Sequence, residues 1–323
     1  MAKFYYTSDD LIESVKRRAL VPSGQSTFTD DDFLAFANEE MNLGMVPTVV
    51  TMHEDYFLFT EEIDIVPGKV TYPIPYRAIG NKVREISFKD SNGNIFEMTR
   101  IGVGDLPFYN GPYTYNRVYA YYLSNNEISL VPQSINISNG TKLRVSYYIR
   151  PNSLVLLENV APITQINDGM TPGTKDIYVS NLPENFTTSQ LFDLVKVKSP
   201  HKCLKIELSA ISVNTTTKVI TLNESDVPSD LAVGDHICLA TESAIPQIPS
   251  DLHVVLAHRV ATRVLEAIGD TEGLQNANQK LAEMEKKTEA LIDNRVEDAP
   301  AKVVNRHAII RRGLFQRRFR VRG

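Results

Sequence analysis

The sequence lacks tryptophan and has only two cysteines, Cys203 and Cys238, among its 323 residues. Two cysteines are too few for the disulfide framework of a small secreted domain. No stretch approaches the roughly 18 apolar residues that a membrane-spanning helix needs. The opening residues MAKFYY also lack the apolar segment of a signal peptide. We therefore expect a protein that is assembled in the cytoplasm and has no membrane partner.

The sequence also lacks the common motifs of catalytic and nucleotide-binding sites. It has no Gly-x-Ser-x-Gly nucleophile elbow and no Gly-Lys-Ser/Thr phosphate loop. Gly102-Val-Gly104 lacks the third glycine of a dinucleotide-binding loop. We therefore expect no catalytic residues, no cofactor and no enzymatic activity. A polysaccharide hydrolase is an alternative, but it needs two positioned carboxyl groups, and no pair stands out here.

Two His-x-Cys pairs, His201-Lys-Cys203 and His236-Ile-Cys238, are the only candidates for a metal site. On a strand, alternation puts each histidine on the same face as its cysteine. Two such pairs supply the four ligands of a tetrahedral zinc ion. The spacing is not a common zinc loop, so we favour ordinary packing of both pairs over a metal site.

The charge of the chain is unevenly distributed. The whole sequence has 34 basic and 39 acidic residues, a net charge of −5, but residues 302–323 hold eight basic residues and no acid. The remainder therefore has 26 basic and 39 acidic residues, a charge of −13. An acidic body with a basic tail indicates a tail that binds a specific partner, while the body repels polyanions.

Apolar side chains alternate with arginines in this basic tail. Because aromatic and arginine side chains dominate protein interfaces, we predict that the tail docks on another protein. A disordered terminus and an arm that grips nucleic-acid phosphates are the alternatives. The candidate docking residues are Arg306, Ile309, Ile310, Arg311, Arg312, Leu314, Phe315, Arg317, Arg318, Phe319 and Arg320.

Apolar residues follow a helical spacing at both ends of the sequence. Ser8 is the expected N-cap of a first helix, and Thr29 with Asp32 forms a capping box before a second. Gly44 and Pro47 are expected to end or kink this second helix, and a short third one follows. The helical spacing resumes after Pro249-Ser250, is interrupted at Gly269, and returns from Asp270-Thr271.

Between the helical ends, the apolar spacing changes to that of strands. Residues 60–150 and 151–249 are each predicted to form an antiparallel β domain, the second a small barrel or sandwich. Residues 167–190 are rich in glycine, proline, asparagine and threonine, and we expect an exposed loop there.

We predict an α+β fold from these patterns. Its core is a discontinuous helical bundle formed by residues 1–59 and 250–297, with the two β domains inserted between them and an extended basic tail over residues 298–323.

The arrangement of the helical ends resembles the head-to-tail adaptor proteins of tailed bacteriophages. The resemblance rests on TDDDFLAFANEE at 29–40, on PSDLH at 249–253, on EAIGD at 266–270, and on Arg295-Val-Glu with the basic run that starts at Asn305-Arg306. The nearest relatives would be the adaptors of short-tailed phages, of the tail tubular A type, and of crAss-like phages.

The resemblance implies a structural virion protein at the portal vertex that is assembled in the host bacterial cytoplasm. Such adaptors form a ring, commonly of about twelve copies, that joins the portal protein to the tail and extends the DNA channel for genome retention and ejection. The implied partners are the portal protein, downstream tail proteins of the nozzle or tubular type, and further copies of the chain. Genomic double-stranded DNA would pass through the lumen without specific binding. The basic tail would dock on the portal.

Overall fold

The computed structural model describes residues 6–22, 27–109, 120–131 and 140–292. Within them the chain has an α+β fold with several antiparallel sheets, which confirms the predicted fold class. Six α-helices are present in this part of the chain: α1 (Ser8–Arg18), α2 (Asp30–Glu40), α3 (Val46–Met52), α4 (Leu106–Tyr109), α5 (His253–Ile268) and α6 (Thr271–Ile292).

Capping boxes start the first two helices. Asp32 accepts a hydrogen bond from the Thr29 N–H at 2.7 Å, while the Thr29 hydroxyl accepts from the Asp32 N–H, as predicted for α2. At α1 the same exchange joins Asp10 to Thr7. The prediction of Ser8 as the N-cap is therefore wrong, because Ser8 is already the first helical residue and is buried.

A π-helical turn, Met41–Met45, joins α2 to α3 without a break in the helical path. Gly44 lies in this turn, where a Cβ atom would collide with the guanidinium of Arg259. A larger residue here would require the Arg259 side chain to shift. Pro47 follows in the first turn of α3.

The boundary between the two C-terminal helices lies where the sequence predicts. A short 3₁₀ turn, Ser250–Leu252, leads into α5, and Gly269 ends α5 with a φ of +83°. Helix α6 follows from Thr271.

In the first strand-rich region, the described residues form eight strands in two four-stranded sheets with the orders β1-β8-β3-β4 and β2-β7-β6-β5. The strands are β1 (Leu58–Asp64), β2 (Thr71–Pro73), β3 (Ala78–Lys89), β4 (Ile95–Glu97), β5 (Thr99–Arg100), β6 (Ala120–Ser124), β7 (Glu127–Val131) and β8 (Lys142–Ile149). Side chains from both sheets, among them Tyr72, Ile86, Ile128 and Val145, share one hydrophobic cluster.

The second strand-rich region is dominated by a seven-stranded antiparallel sheet with the order β13-β12-β16-β10-β11-β15-β14. Two further short strands, β9 and β17, pair with each other in parallel. The strands of this region are β9 (Ser153–Leu154), β10 (Ala161–Asp168), β11 (Thr174–Val179), β12 (Leu191–Lys196), β13 (Lys202–Ser209), β14 (Ser212–Asn214), β15 (Val219–Asn223), β16 (His236–Leu239) and β17 (Glu242–Ser243).

The prediction of an exposed loop over residues 167–190 is wrong in part. Strand β11 lies inside this range, between β10 and β15, with Ile177 and Val179 buried. Gly169 and Gly173 belong to the tight turn between β10 and β11. The glycines and proline that suggested a loop therefore belong to a hairpin turn. In the strand that follows the turn, only two apolar side chains are buried, which is a weak sequence signal.

Helices from distant parts of the sequence bury one common hydrophobic cluster. Val15 of α1, Phe33 of α2 and Val260 of α5 are all at most 1% exposed, and Leu281 of α6 packs against them at the edge. Each amphipathic helix has one apolar face, so the helices before residue 59 bury their faces against those after residue 250.

We expect Phe33→Ala to lower the free energy of unfolding by about 3 kcal/mol, because it removes a fully buried aromatic ring and leaves a cavity. Urea unfolding followed by circular dichroism at 222 nm would measure the change. Ile95→Ala is the control, since that side chain is 51% exposed and should shift stability by less than about 0.5 kcal/mol. Equal effects of the two substitutions would contradict the shared helical core.

Candidate functional site

A buried polar cluster lies where the chain passes from the first strand-rich region to the second. We call it the junction cluster and define it as Arg77, Asn152, Asp193, Cys203 and Gln247. Arg77 precedes β3, Asn152 follows β8, Asp193 lies on β12, Cys203 on β13, and Gln247 precedes α5. All five side chains are buried. The cluster therefore joins segments that are up to 170 residues apart (247 minus 77).

An ion pair forms the centre of the junction cluster. Arg77 Nη1 donates to Asp193 Oδ2 at 2.9 Å, and its Nη2 donates to Asn152 Oδ1. Asn152 Nδ2 donates to the same Asp193 oxygen at 2.8 Å. Both charged groups are thus removed from water but fully paired, which is the condition under which a buried charge is tolerated.

Two backbone N–H groups also donate hydrogen bonds to the Asp193 carboxylate. Its Oδ1 accepts from the Glu207 N–H at 2.9 Å, and its Oδ2 accepts from the Thr241 N–H at 3.0 Å. Glu207 has a φ of +56° at a register shift between β12 and β13. A non-glycine residue in this conformation costs about 1 kcal/mol, and the bond to Asp193 helps to hold it.

Gln247 connects the junction cluster to the start of the C-terminal helices. Its Oε1 accepts from the Asn152 N–H at 2.8 Å, and its Nε2 donates to Cys203 Sγ at 3.1 Å. Burial by itself lowers the pKa of Arg77, but the charge of Asp193 outweighs it with the help of neighbouring groups, so the pKa is raised on balance. The guanidinium therefore stays charged.

The two cysteines pack in the core. Cys203 and Cys238 share a small buried cluster with Val160, Val195 and Ala244. Burial raises the pKa of Cys203 to about 12 and also raises that of Cys238. Because the thiolate is the nucleophilic form of cysteine, neither thiol is activated as a nucleophile at neutral pH.

The histidines of the two His-x-Cys pairs are also engaged in packing. His201 has Nδ1 at 2.7 Å from the Val197 carbonyl oxygen and Nε2 at 3.1 Å from Ser250 Oγ. Burial lowers the pKa of His236 to about 4. Across residues 6–22, 27–109, 120–131 and 140–292, no group of three or more His, Cys, Asp or Glu side chains is arranged to hold a metal ion.

Two neighbouring histidine rings lie where the C-terminal helices meet the second strand-rich region. The ring centroids of His201 and His253 are 5.0 Å apart. The ring centroid of Tyr6 lies 5.3 Å from that of His253. His253 Nε2 lies 3.1 Å from the Pro246 carbonyl oxygen and 3.2 Å from that of Ile248. Burial disfavours the charged imidazolium, so it lowers the pKa of His253 to about 4. Nearby His201 contributes to this shift.

A match to a protein-family model shows the family to which this chain belongs. The model of the SU10 adaptor protein family matches residues 6–184, more than half of the chain. The chain belongs to the SU10 adaptor protein family. It is thus a structural adaptor of a bacteriophage and a component of the virion, and the family implies a non-enzymatic role. No curated protein matches the sequence.

The adaptor-family match covers the first three helices, the first strand-rich region and the second as far as β11. Arg77 and Asn152 of the junction cluster lie inside the match, whereas Asp193, Cys203 and Gln247 lie beyond it. The family match also includes the segment at 29–40 that carries the N-terminal part of the sequence resemblance. No helix in the described ranges of this adaptor is long and apolar enough to cross a membrane.

The adaptor has a second polar cluster on its helices, which the sequence analysis missed. Arg259 of α5 pairs with Glu40 of α2 (3.2 Å) and with Glu285 of α6, and Arg263 binds the other Glu40 oxygen at 2.6 Å. A groove of about 270 Å³ lies between α5 and α6 beside these side chains. The four-residue spacing of Arg259 and Arg263, which places both side chains on one face of α5, was the one signal in the sequence.

The predicted docking residues of the tail, from Arg306 to Arg320, all lie outside the described residues. Their docking role stays a prediction.

We expect Arg77→Met and Asp193→Asn each to lower the free energy of unfolding by about 3 kcal/mol, because each leaves one buried charge unpaired. The double variant should lose less than the sum of the two, since the charges interact directly. Urea unfolding of all four proteins would measure this coupling.

Arg84→Ala is the matched control for these variants. Arg84 pairs with Asp55 at the surface, where both side chains are more than a third exposed. Its loss should change stability by less than about 0.5 kcal/mol. Additive effects of the Arg77 and Asp193 substitutions would contradict a coupled buried pair.

The buried histidines predict a loss of stability in mild acid. Above the ordinary pKa of 6.5, His253 is neutral in both states and has little effect. As the pH falls from 6.5 towards 4, the unfolded chain binds a proton that the folded site excludes, so folding stability is lost. Going from pH 7 to pH 5 should cost about 2 kcal/mol at His253 alone.

The variant His253→Gln tests this assignment because its amide can still donate to the Pro246 or Ile248 carbonyl. Urea unfolding of both proteins at pH 7 and pH 5 should show a smaller acid-induced loss in the variant, by about 2 kcal/mol. The same loss in both proteins would mean that His253 does not contribute to the pH dependence.

Proposed function

We propose that this SU10-family adaptor forms a ring of about twelve copies beneath the portal of its phage, joins the portal to the tail, and extends the DNA channel. The observation that carries the proposal is the family match over residues 6–184. An adaptor of this family associates with portal and tail proteins. The ring, its copy number and the passage of DNA are our proposal, as is the closer relationship to tail tubular A type and crAss-like adaptors.

We also propose how the chain is divided for this task. The helical residues 1–59 and 250–297 form one domain, residues 60–150 and 151–249 form two inserted β domains, and residues 298–323 form the docking tail. The common hydrophobic cluster of α1, α2 and α5 supports the helical domain. The separate clusters around Ile86 and around Ile220 support the two insertions.

The charge of the body supports a role around DNA. Residues 1–301 carry −13. A wall of this sign repels phosphate groups, so that DNA slides through the channel and does not adhere to it. The basic tail has the opposite sign and suits a partner with exposed carboxylates. Tail arginines can pair with these carboxylates while Phe315 and Phe319 fill apolar pockets.

Electron microscopy of the adaptor mixed with the portal protein from its own genome tests the proposal. We expect an added ring below the portal with the full-length chain and none when residues 302–323 are deleted. No added ring in either case would overturn the proposal. If the intact chain then bound DNA in a salt-dependent way, the tail would be a nucleic-acid arm.

Reversal of four tail charges should abolish docking on the portal. The variant replaces Arg311, Arg312, Arg317 and Arg318 by glutamate, which turns attraction to carboxylates into repulsion. The body should stay folded, as checked by an unchanged Tm. Light scattering of the mixture with portal would measure the docking.

Replacement of the same four arginines by lysine is the control. It keeps the charge, so docking should be weakened far less than by glutamate. Normal docking of the glutamate variant would mean that the tail is not the anchor.

A further inference from the structure

An open cavity of about 200 Å³ lies beside the junction cluster and is lined by residues from both strand-rich regions. Residues 56–60, which lead into β1, form one part of the lining, and residues 201–204 at the start of β13 form another. The lining is completed by Ile149, Pro151, Asp230 and Gln247. A void of about 150 Å³ already accepts a benzene-sized molecule, so this cavity has room for one aromatic side chain.

The chemistry of the lining favours an uncharged, apolar occupant. Among the described residues, the charged members of the lining are Lys202 and Asp230, and their charges cancel. Burial lowers the pKa of His201, so this imidazole is neutral at neutral pH. Leu58 is 39% exposed, and an apolar group in the cavity would cover more of its surface. The apolar members of the lining are Phe57, Leu58, Phe59, Ile149, Pro151 and Leu204.

Two sheet edges border the cavity. Strand β1 is the end strand of the order β1-β8-β3-β4, and β13 is the end strand of the seven-stranded sheet. Residues 58–60 of β1 and 202–204 of β13 line the cavity. An end strand has backbone N–H and C=O groups that pair with a further extended segment. The site therefore fits an extended peptide that carries one apolar side chain.

The cavity lies close to the point where residues 1–5 join the described chain. The ring centroid of His201, which belongs to the lining, is 5.0 Å from that of His253, and the Tyr6 centroid is 5.3 Å from that of His253. The Tyr6 ring is therefore separated from the His201 ring by at most the sum of these two distances. The next residue, Thr7, has an extended backbone with φ −95° and ψ 169°.

Residues 1–5 have the sequence MAKFY, which offers two aromatic side chains. In an extended chain, side chains two residues apart face the same side, so Phe4 shares the side of Tyr6 while Tyr5 faces away. Two extended residues advance about 7 Å. This advance, together with the length of a phenylalanine side chain, spans the separation between the rings of Tyr6 and His201. Phe4 is thus the aromatic residue of this segment that reaches the cavity.

We propose that residues 1–5 lie extended along the edges of β1 and β13, and that the Phe4 ring fills the cavity of the same chain. This segment is the occupant because it joins the described chain beside the cavity and carries an aromatic ring at the distance and on the side that the cavity requires. The contact fastens the start of α1 to both strand-rich regions. It lies within one subunit and goes beyond the proposed function, which concerns contacts between proteins.

The absence of tryptophan from the chain allows a direct test of this contact. Phe4→Trp introduces a single tryptophan, whose emission reports its surroundings. We expect this emission at shorter wavelength than that of free tryptophan, with weak quenching by acrylamide, because the ring lies in an apolar cavity. Tyr5→Trp is the matched control, and its tryptophan should emit and be quenched as an exposed one.

A substitution in the lining identifies the cavity as the place where the ring binds. Leu58→Glu puts a charge into the cavity, so in the Phe4→Trp protein it should move the emission to longer wavelength and increase quenching. Val66→Glu in the same background is the control, because Val66 is 53% exposed in the turn after β1 and does not line the cavity. Its emission should equal that of Phe4→Trp alone.

The stability of variants without tryptophan gives an independent measurement. Phe4→Ala should lower the Tm by about 4 °C, because it removes a buried aromatic ring. Tyr5→Ala should change the Tm by less than about 1 °C. Equal Tm values for Phe4→Ala and the unmodified protein would contradict the contact even if the larger tryptophan did not fit the cavity.

The remaining outcomes distinguish the possible occupants. Emission from Phe4→Trp that matches that of Tyr5→Trp would overturn the proposal. A short-wavelength emission that is lost on dilution would show that the ring binds a second copy, and one that appears only after addition of portal protein would show that it binds the portal. Either result would overturn the assignment to the same chain. Because the purified adaptor alone is measured, failure of the proposed ring on the portal would leave this contact unaffected.

Discussion

The buried ion pair between Arg77 and Asp193 is the constraint on which the arrangement of the sheets depends. One charge comes from the turn before β3 and the other from β12 of the seven-stranded sheet. Neither charge is stable away from water unless the other is in place, so the two strand-rich regions have one favourable relative position. Asn152 and Gln247 extend this constraint to the segments that enter and leave the second region.

This constraint suits a structural adaptor. The junction cluster is buried, and burial shifts the pKa values of its cysteine, Cys203, and of His236 and His253 so that all three are uncharged at neutral pH. These shifts are those of packed core groups, not those of nucleophiles or general bases, whose pKa values are brought towards the working pH. The polar groups of the junction cluster thus hold segments of the chain in place, which agrees with the structural role of the family to which the chain belongs.

The helical layer contains a second type of polar contact with a different consequence. Glu40 of α2 is held by Arg259 and Arg263 of α5, and Arg259 also reaches Glu285 of α6. This network joins three helices at the edge of their apolar core and shapes the groove beside it. The guanidinium of Arg259 lies close to Gly44 in the π-helical turn between α2 and α3.

The sequence by itself determined the α+β class, the helical ends with the capping box at Thr29, the stop at Gly269 and the change to strand spacing near residue 60. These features depend on neighbouring residues, so local periodicity and capping reveal them. Strand β11 escaped prediction because its turn residues outweighed its two buried side chains, and Thr7 replaced Ser8 as a cap because either hydroxyl can do so. Only the tertiary structure decided the partners of Arg77, Asp193 and Glu40. Each of these charges looks like an ordinary surface residue in the sequence, and what makes it special is burial beside an opposite charge more than a hundred residues away.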